Sequence, residues 1–187
     1  MKKFYIYFFT LLLAGCSAKQ QLLRQSIEDY HADGGAYLLY DMQERKLIEK
    51  QVINFDLEQK YKPDFSKIGL NGEMTPENFL KQYVQLVEDD ENLQAFLREN
   101  VLSGEARKVN VDNLKIYGVT ATTPKNKNKE VITTFLGHFM TDNKPYALIA
   151  ILDNPQPLKA TYGFRTAGWN VANLARNLMI TLTTDKR

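Results

Sequence analysis

A serine becomes a nucleophile when a base shares its helix face, and a lysine three residues on would do that. The serines are Ser17, Ser26, Ser66 and Ser103, and none has lysine at that spacing. Ser66 is followed directly by Lys67, but adjacent residues on a helix point about 100° apart, so this lysine cannot serve that serine in the same way. No Ser-x-Asn and no Lys-Thr/Ser-Gly occurs anywhere in the chain. His31 and His138 are the only histidines and Cys16 the only cysteine, which is too few for a convincing zinc set. His138 sits in an alternating run, where a hydrogen-bonded strand histidine is the expectation. No catalytic residue, metal or cofactor is therefore assigned.

Cys16 has a different chemistry. Lys2 and Lys3 precede an apolar run from Phe4 to Ala14, and Leu13-Ala14-Gly15-Cys16 closes it. This is a secretory signal with a lipobox, so residues 1–15 are expected to be removed and Cys16 to carry lipid. The run is shorter than the roughly 20 residues a spanning helix requires. The expected partner of Cys16 is thus a membrane, as an anchor and not as a span. Ser17 in place of aspartate after the cysteine favours the outer over the inner membrane, with the protein facing the periplasm.

The remaining residues 16–187 read as one exported domain. Lys and Arg number 24 against 22 Asp and Glu, and loss of Lys2 and Lys3 balances them. A chain without net charge is a poor nucleic-acid binder. No internal repeat or long low-complexity segment interrupts it.

Elements follow from periodicity. Leu22, Leu23, Ile27 and Tyr30 recur at helical spacing up to Gly34-Gly35, predicting a helix ahead of a strand at 36–42. A second strand is predicted over 46–55, joined by Gln43-Glu44-Arg45. Thr75 caps a helix with Pro76 at its first position, its apolar face Phe79, Tyr83, Leu86 and Val87. Leu93, Phe96 and Leu97 predict another turn or two. Strands are predicted over 114–122, 130–140 and 146–152, with short polar connections that favour antiparallel neighbours. A closing helix over 167–182 would bury Trp169, Ala172, Ala175 and Met179. The predicted class is α+β, a five-stranded antiparallel sheet flanked by N- and C-terminal helices.

The stretch from Asn113 to Leu182 carries a family resemblance. It holds YGVTATT, TTFLGHF, a hydrophobic strand ending in Asp153-Asn154-Pro155, and TYGFRTAGWN. These are similar to the closing part of class B penicillin-binding proteins, the division-type transpeptidases, and imply their reduced β-lactamase-like fold. Upstream, QQLLRQSIEDYHADGGAYLLYD and GLNGEMTPENFLKQYVQLV resemble the family's first helix and strand and its Thr-Pro helix. The departures bear on activity. Where the family has Gly-Lys-Thr-Gly-Thr, this chain has Gly118, Val119, Thr120, Ala121 and Thr122, so Val119 to Thr122 are a remnant of the Lys-Thr-Gly strand. Between Asp56 and Gly69 the family's helical subdomain, with its Ser-x-x-Lys and Ser-x-Asn motifs, is reduced to residues 57–68. Aligning Tyr61 and Pro63 with the family's Tyr-x-Pro places Phe65 where the nucleophile would be.

The resemblance implies a catalytically inactive, lipid-anchored binding or scaffolding module of peptidoglycan synthesis. Its implied partners are peptidoglycan-synthesis proteins or the peptidoglycan peptide. The alternative is a rearranged transpeptidase or carboxypeptidase using Ser66 or Ser103. Thr120 and Thr122 could keep a peptide-binding edge, although β-branched residues also simply suit a strand. Lys125, Lys127 and Lys129 are expected in a solvated turn guarding the sheet edge, and Trp169 in the core.

Overall fold

A computed structural model describes residues 18–125, 129–141 and 144–184. Helix α1 (Ala18–Asp29) leads into the hairpin of β1 (Gly34–Asp41) and β2 (Lys46–Ile53). Residues 54–75 follow as an extended connection, pinned by isolated bridges Tyr61 to Met74 and Phe65 to Leu70, with one 3-10 turn at Ser66–Ile68. Then come α2 (Pro76–Glu88), α3 (Glu91–Leu102), a 3-10 turn at Arg107–Val109, and the meander β3 (Ile116–Pro124), β4 (Val131–Thr141) and β5 (Lys144–Asp153). The 3-10 turns Lys159–Thr161 and Ala167–Trp169 lead to α4 (Val171–Thr184).

The five strands form one antiparallel sheet, as expected, and their order is β2-β1-β5-β4-β3. Both faces are covered. Leu23, Tyr37, Leu39, Phe135, Leu148, Leu174 and Leu178 belong to one apolar layer beneath α1 and α4, and Leu38, Phe65, Phe79, Tyr83, Leu136 and Ile149 to the other, beneath α2 and the 54–75 connection. This explains why β1 is buried at every position and does not alternate: a strand covered on both sides has no solvent face. The edge strand β2 does alternate between exposed and half-buried.

Local signals set the helix starts. Thr75 Oγ1 accepts the Asn78 amide at 3.4 Å with Pro76 in the first turn, and Asp90 Oδ1 accepts the Leu93 amide at 2.9 Å. That second cap turns the predicted extra turn or two into a separate 12-residue helix. The closing helix begins at Val171, later than expected, because Ala167–Trp169 form a 3-10 turn and Asn170, at φ −133° and ψ −77°, separates it from α4. Among the described residues no helix is long and apolar enough to cross a membrane.

Candidate functional site

Edge strands leave one row of peptide groups unpaired, and on β3 that row is only half used. Arg98 Nη1 donates to the carbonyl of Ile116 and Asn100 Nδ2 to that of Gly118, each at 2.9 Å. In an antiparallel strand the direction of peptide groups alternates, so the even-numbered residues of β3 point theirs away from β4. Arg98 and Asn100 on α3 seal the first half, leaving Thr120 and Thr122 with peptide groups directed into an adjacent cleft.

The cleft holds about 660 Å³ and has four walls. One is the β3 edge, Val119 to Thr122; the second is Asp64, Phe65, Lys67 and Ile68; the third carries Phe96, Asn100, Arg107 and Lys108; the fourth is Thr166 to Trp169. The strand can approach its neighbour closely because Gly118 lies opposite Gly137. A Cβ on Gly118 would come within 2.6 Å of the Phe135 ring and one on Gly137 within 2.3 Å of the Tyr117 carbonyl.

The remnant strand residues divide by face. Val119 and Ala121 turn their side chains into the apolar layer shared with Phe65, Phe79 and Leu97. Thr120 and Thr122 lie on the other face, where Thr122 Oγ1 accepts the Ala167 amide at 2.9 Å and ties the strand to the turn before α4. Phe65, at the expected nucleophile position, is buried and meets Phe79 edge-on, ring centroids 5.9 Å apart. Ser66 is exposed and does not line the cleft; its hydroxyl donates to Asp64 Oδ1 at 2.6 Å. That bond, first of all, holds the Asp64 carboxyl below its ordinary pKa. Ser103 caps α3, its hydroxyl against Glu99, and does not line the cleft either. Cys16 and Lys127 lie outside the described residues.

Trp169 is a correction. It is only partly buried, because the turn before α4 places it at the cleft mouth instead of under the helix. Lys108 Nζ sits 3.5 Å from the centre of its indole ring, a cation-π contact. Phe164 stacks on Trp169 at 5.6 Å and Tyr162 meets it edge-on at 5.4 Å. Burial, and then the neighbouring Arg107, lower the Lys108 pKa. Position 119 carries valine, but Arg107, Lys108 and Lys67 bring cations to the same cleft from elsewhere. The pair Arg107-Lys108 is visible in the sequence; its meeting with Trp169 depends on long-range packing.

Lys125 is exposed, as expected, but its ammonium is held by the sheet: it bridges both carboxylate oxygens of the buried Asp153, at 2.9 and 2.7 Å. Lys129, at φ +64°, is exposed in the turn. His138 is a hydrogen-bonded strand residue as expected: Nδ1 meets the Tyr83 hydroxyl at 2.8 Å and its ring stacks on Tyr117 at 4.5 Å. Burial brings its pKa down to about 4. His31, at φ +47°, lies in the turn after α1. Among the described residues no group of three or more His, Cys, Asp or Glu could hold a metal.

A five-stranded antiparallel sheet layered by a terminal helix pair on one face, with a cleft along its last edge, is an α+β architecture. The chain has the fold of penicillin-binding transpeptidase domains. The transpeptidase domain of the D,D-transpeptidase FtsI4 from Legionella pneumophila superposes with a TM-score of 0.73 at 14% identity, over 88% of this chain and 94% of that one. The apo transpeptidase domain of penicillin-binding protein 3 from Burkholderia pseudomallei gives 0.63 at 11%, over 90% and 93%. A peptidoglycan glycosyltransferase from Burkholderia ambifaria gives 0.59 at 10%, over 89% and 95%. No protein-family model matches the sequence, and no curated protein does.

Proposed function

We propose that the chain is a binding module of the cell envelope, acting in peptidoglycan synthesis without acyl-transfer chemistry and held to a membrane by lipid on Cys16. The observation that carries this reading is the state of the cleft. Its strand edge is open at Thr120 and Thr122, yet among the described residues none of those lining it is serine, cysteine or histidine. Phe65 and Val119 occupy the expected positions of nucleophile and cation with apolar side chains. Acyl transfer needs a nucleophile and base acting together, and removing one member costs orders of magnitude in rate. Adding an extended peptide to a strand edge needs neither, because backbone pairing supplies the affinity. The peptide is either the stem peptide of peptidoglycan or an extended segment of a synthesis protein.

Two measurements test this. Intact mass after long incubation with a fluorescent penicillin should show no covalent adduct; a stoichiometric adduct lost in Ser66→Ala or Ser103→Ala would establish the enzyme reading instead. A synthetic stem pentapeptide should bind reversibly, and Thr120→Pro should weaken it at least tenfold while far-UV circular dichroism stays unchanged. Proline at 120 removes only an outward N–H, so the ladder to β4 is kept. If the pentapeptide does not bind, crosslinked envelopes should yield a synthesis protein with the native chain and not with Thr120→Pro; failure of both would refute the binding reading.

A further inference from the structure

We infer that Asn71-Gly72 is a self-modifying joint in the connection that walls the cleft: the Asn71 side chain cyclises onto the Gly72 nitrogen, and the isoaspartyl product loosens residues 61–74. The inference concerns the wall itself and holds whatever the cleft takes. Asn71 is the only asparagine of the chain followed by glycine. It begins a short stretch, 71–73, that crosses the surface between two points where the connection is fastened.

A backbone nitrogen can attack the amide carbon of the asparagine before it, which makes asparagine a thermolabile residue. Access limits the step, because a following side chain crowds the reacting carbon and a hydrogen-bonded N–H is held back from it. Gly72 has neither obstacle. Its φ is +114°, a conformation that glycine adopts without strain, and apart from its chain neighbours no heavy atom lies within 4 Å of where a Cβ would stand. Asn71 is exposed, and among the described residues no hydrogen bond holds its side chain or the Gly72 N–H. Other turn asparagines are shielded. Asn113 precedes Leu114, whose N–H donates to the Val111 carbonyl at 3.2 Å. Asn154 precedes Pro155, which has no N–H, and its own amide donates to Asp33 at 2.9 Å. The turn needs glycine at 72 for its backbone angle, and that need lays open the residue before it.

In the reaction the Gly72 nitrogen bonds to Asn71 Cγ, the bond from Cγ to Nδ2 breaks, and ammonia leaves with the proton that the Gly72 nitrogen gave up. Water then opens the five-membered ring. Opening at Cγ gives aspartate; opening at the main-chain carbonyl gives isoaspartate, whose backbone runs through the side chain and is longer by one carbon, about 1.5 Å. On one side of 71–73 the Leu70 N–H donates to the Phe65 carbonyl at 3.3 Å, and on the other Tyr61 and Met74 exchange two bonds of 3.1 Å. These fastenings seat Phe65 and Ile68 in the cleft wall and Tyr61 against Thr134, hydroxyl to hydroxyl at 3.2 Å. A three-residue link that gains a backbone atom and a carboxylate no longer matches both registers.

The test ages freshly purified full chain in mildly alkaline buffer at growth temperature and maps its peptides by mass spectrometry, with fragmentation that separates isoaspartate from aspartate. Isoaspartate should form at 71 at least tenfold faster than at any other asparagine, and within about threefold of its rate in urea, where no fold intervenes. Conversion at 71 in urea alone would overturn the site, since the folded loop would then protect it. The aged folded chain should also be cut by trypsin after the exposed Lys60 and Lys67 at least threefold faster than fresh chain. Asn71→Gln, whose longer amide cyclises poorly, should age with neither change. Modification at 71 without faster cleavage would overturn the loosening and leave the site standing; faster cleavage of aged Asn71→Gln would trace the loosening to another lesion and overturn it as well.

Discussion

His138 shows how a residue that could do chemistry is committed to structure instead. Its ring is enclosed by Tyr117 and Tyr83, and its pKa falls from the usual 6.5 to about 4. The unfolded chain then binds a proton at a pH where the folded chain does not. Stability is full above pH 6.5 and declines as pH falls towards 4, by about 3 kcal/mol at about 1.4 per unit. Urea midpoints measured between pH 7 and 4 should decline more steeply in the native protein than in His138→Phe; parallel profiles would remove the histidine from this role. Trp169 makes the complementary case. A buried tryptophan replaced by alanine loses about 3–5 kcal/mol, but a half-open ring held by Lys108 and Phe164 should lose only about 1–2, on the scale of the area it covers. A thermal melt of Trp169→Ala matching a core deletion such as Phe135→Ala would place the ring back in the core. Sequence patterning could not separate these outcomes, because the apolar stripe of α4 continues back through 169 while the backbone leaves the helix at Asn170.

Elements were legible wherever their signals were local. Thr75-Pro76 marks a helix start that the structure reproduces to the residue, since capping and proline geometry involve only neighbouring residues. Helix α3 was underread because its apolar face is sparse, with Leu97 and Val101 its buried residues, and its beginning depends on one carboxylate. Asp90→Ala should therefore cost about 1 kcal/mol, and it should act at a distance. Fraying α3 loosens Arg98 and Asn100 from the β3 carbonyls, so amide exchange in β3 should quicken more than in β4. Uniform acceleration throughout the sheet would show that the cap matters only to global stability. The cleft itself was legible as a strand remnant and no further. Its walls come from residues near 65, 100, 107, 120 and 168, and no local pattern records that they meet.

At the scale of the molecule, the central strands should be the last to open. Both β1 and β5 have neighbours on either side and apolar layers above and below, whereas β2 and β3 each have one strand neighbour. Native-state hydrogen exchange should find Tyr37, Leu38, Leu148 and Ile149 exchanging only through global unfolding, with β2 amides opening at lower free energy. Slower exchange in β2 than in β5 would contradict this ranking of layers.

The strand order also sets a schedule. Chains are made from the N-terminus, and β1 can complete its ladder only with β5, whose first residue is Lys144, more than 100 positions after β1 begins. Until then the β1–β2 hairpin has an apolar strand with one bare flank and no covering layer from α4, so it cannot persist as a structured intermediate in water. Assembly must wait for nearly the whole polypeptide, and such long loops slow the search for the native pairing. Under the proposed lipid-anchored reading, in which the chain is exported, the delay would be useful. An incomplete sheet keeps the nascent polypeptide threadable, and the last strand to arrive is the one that ends that state.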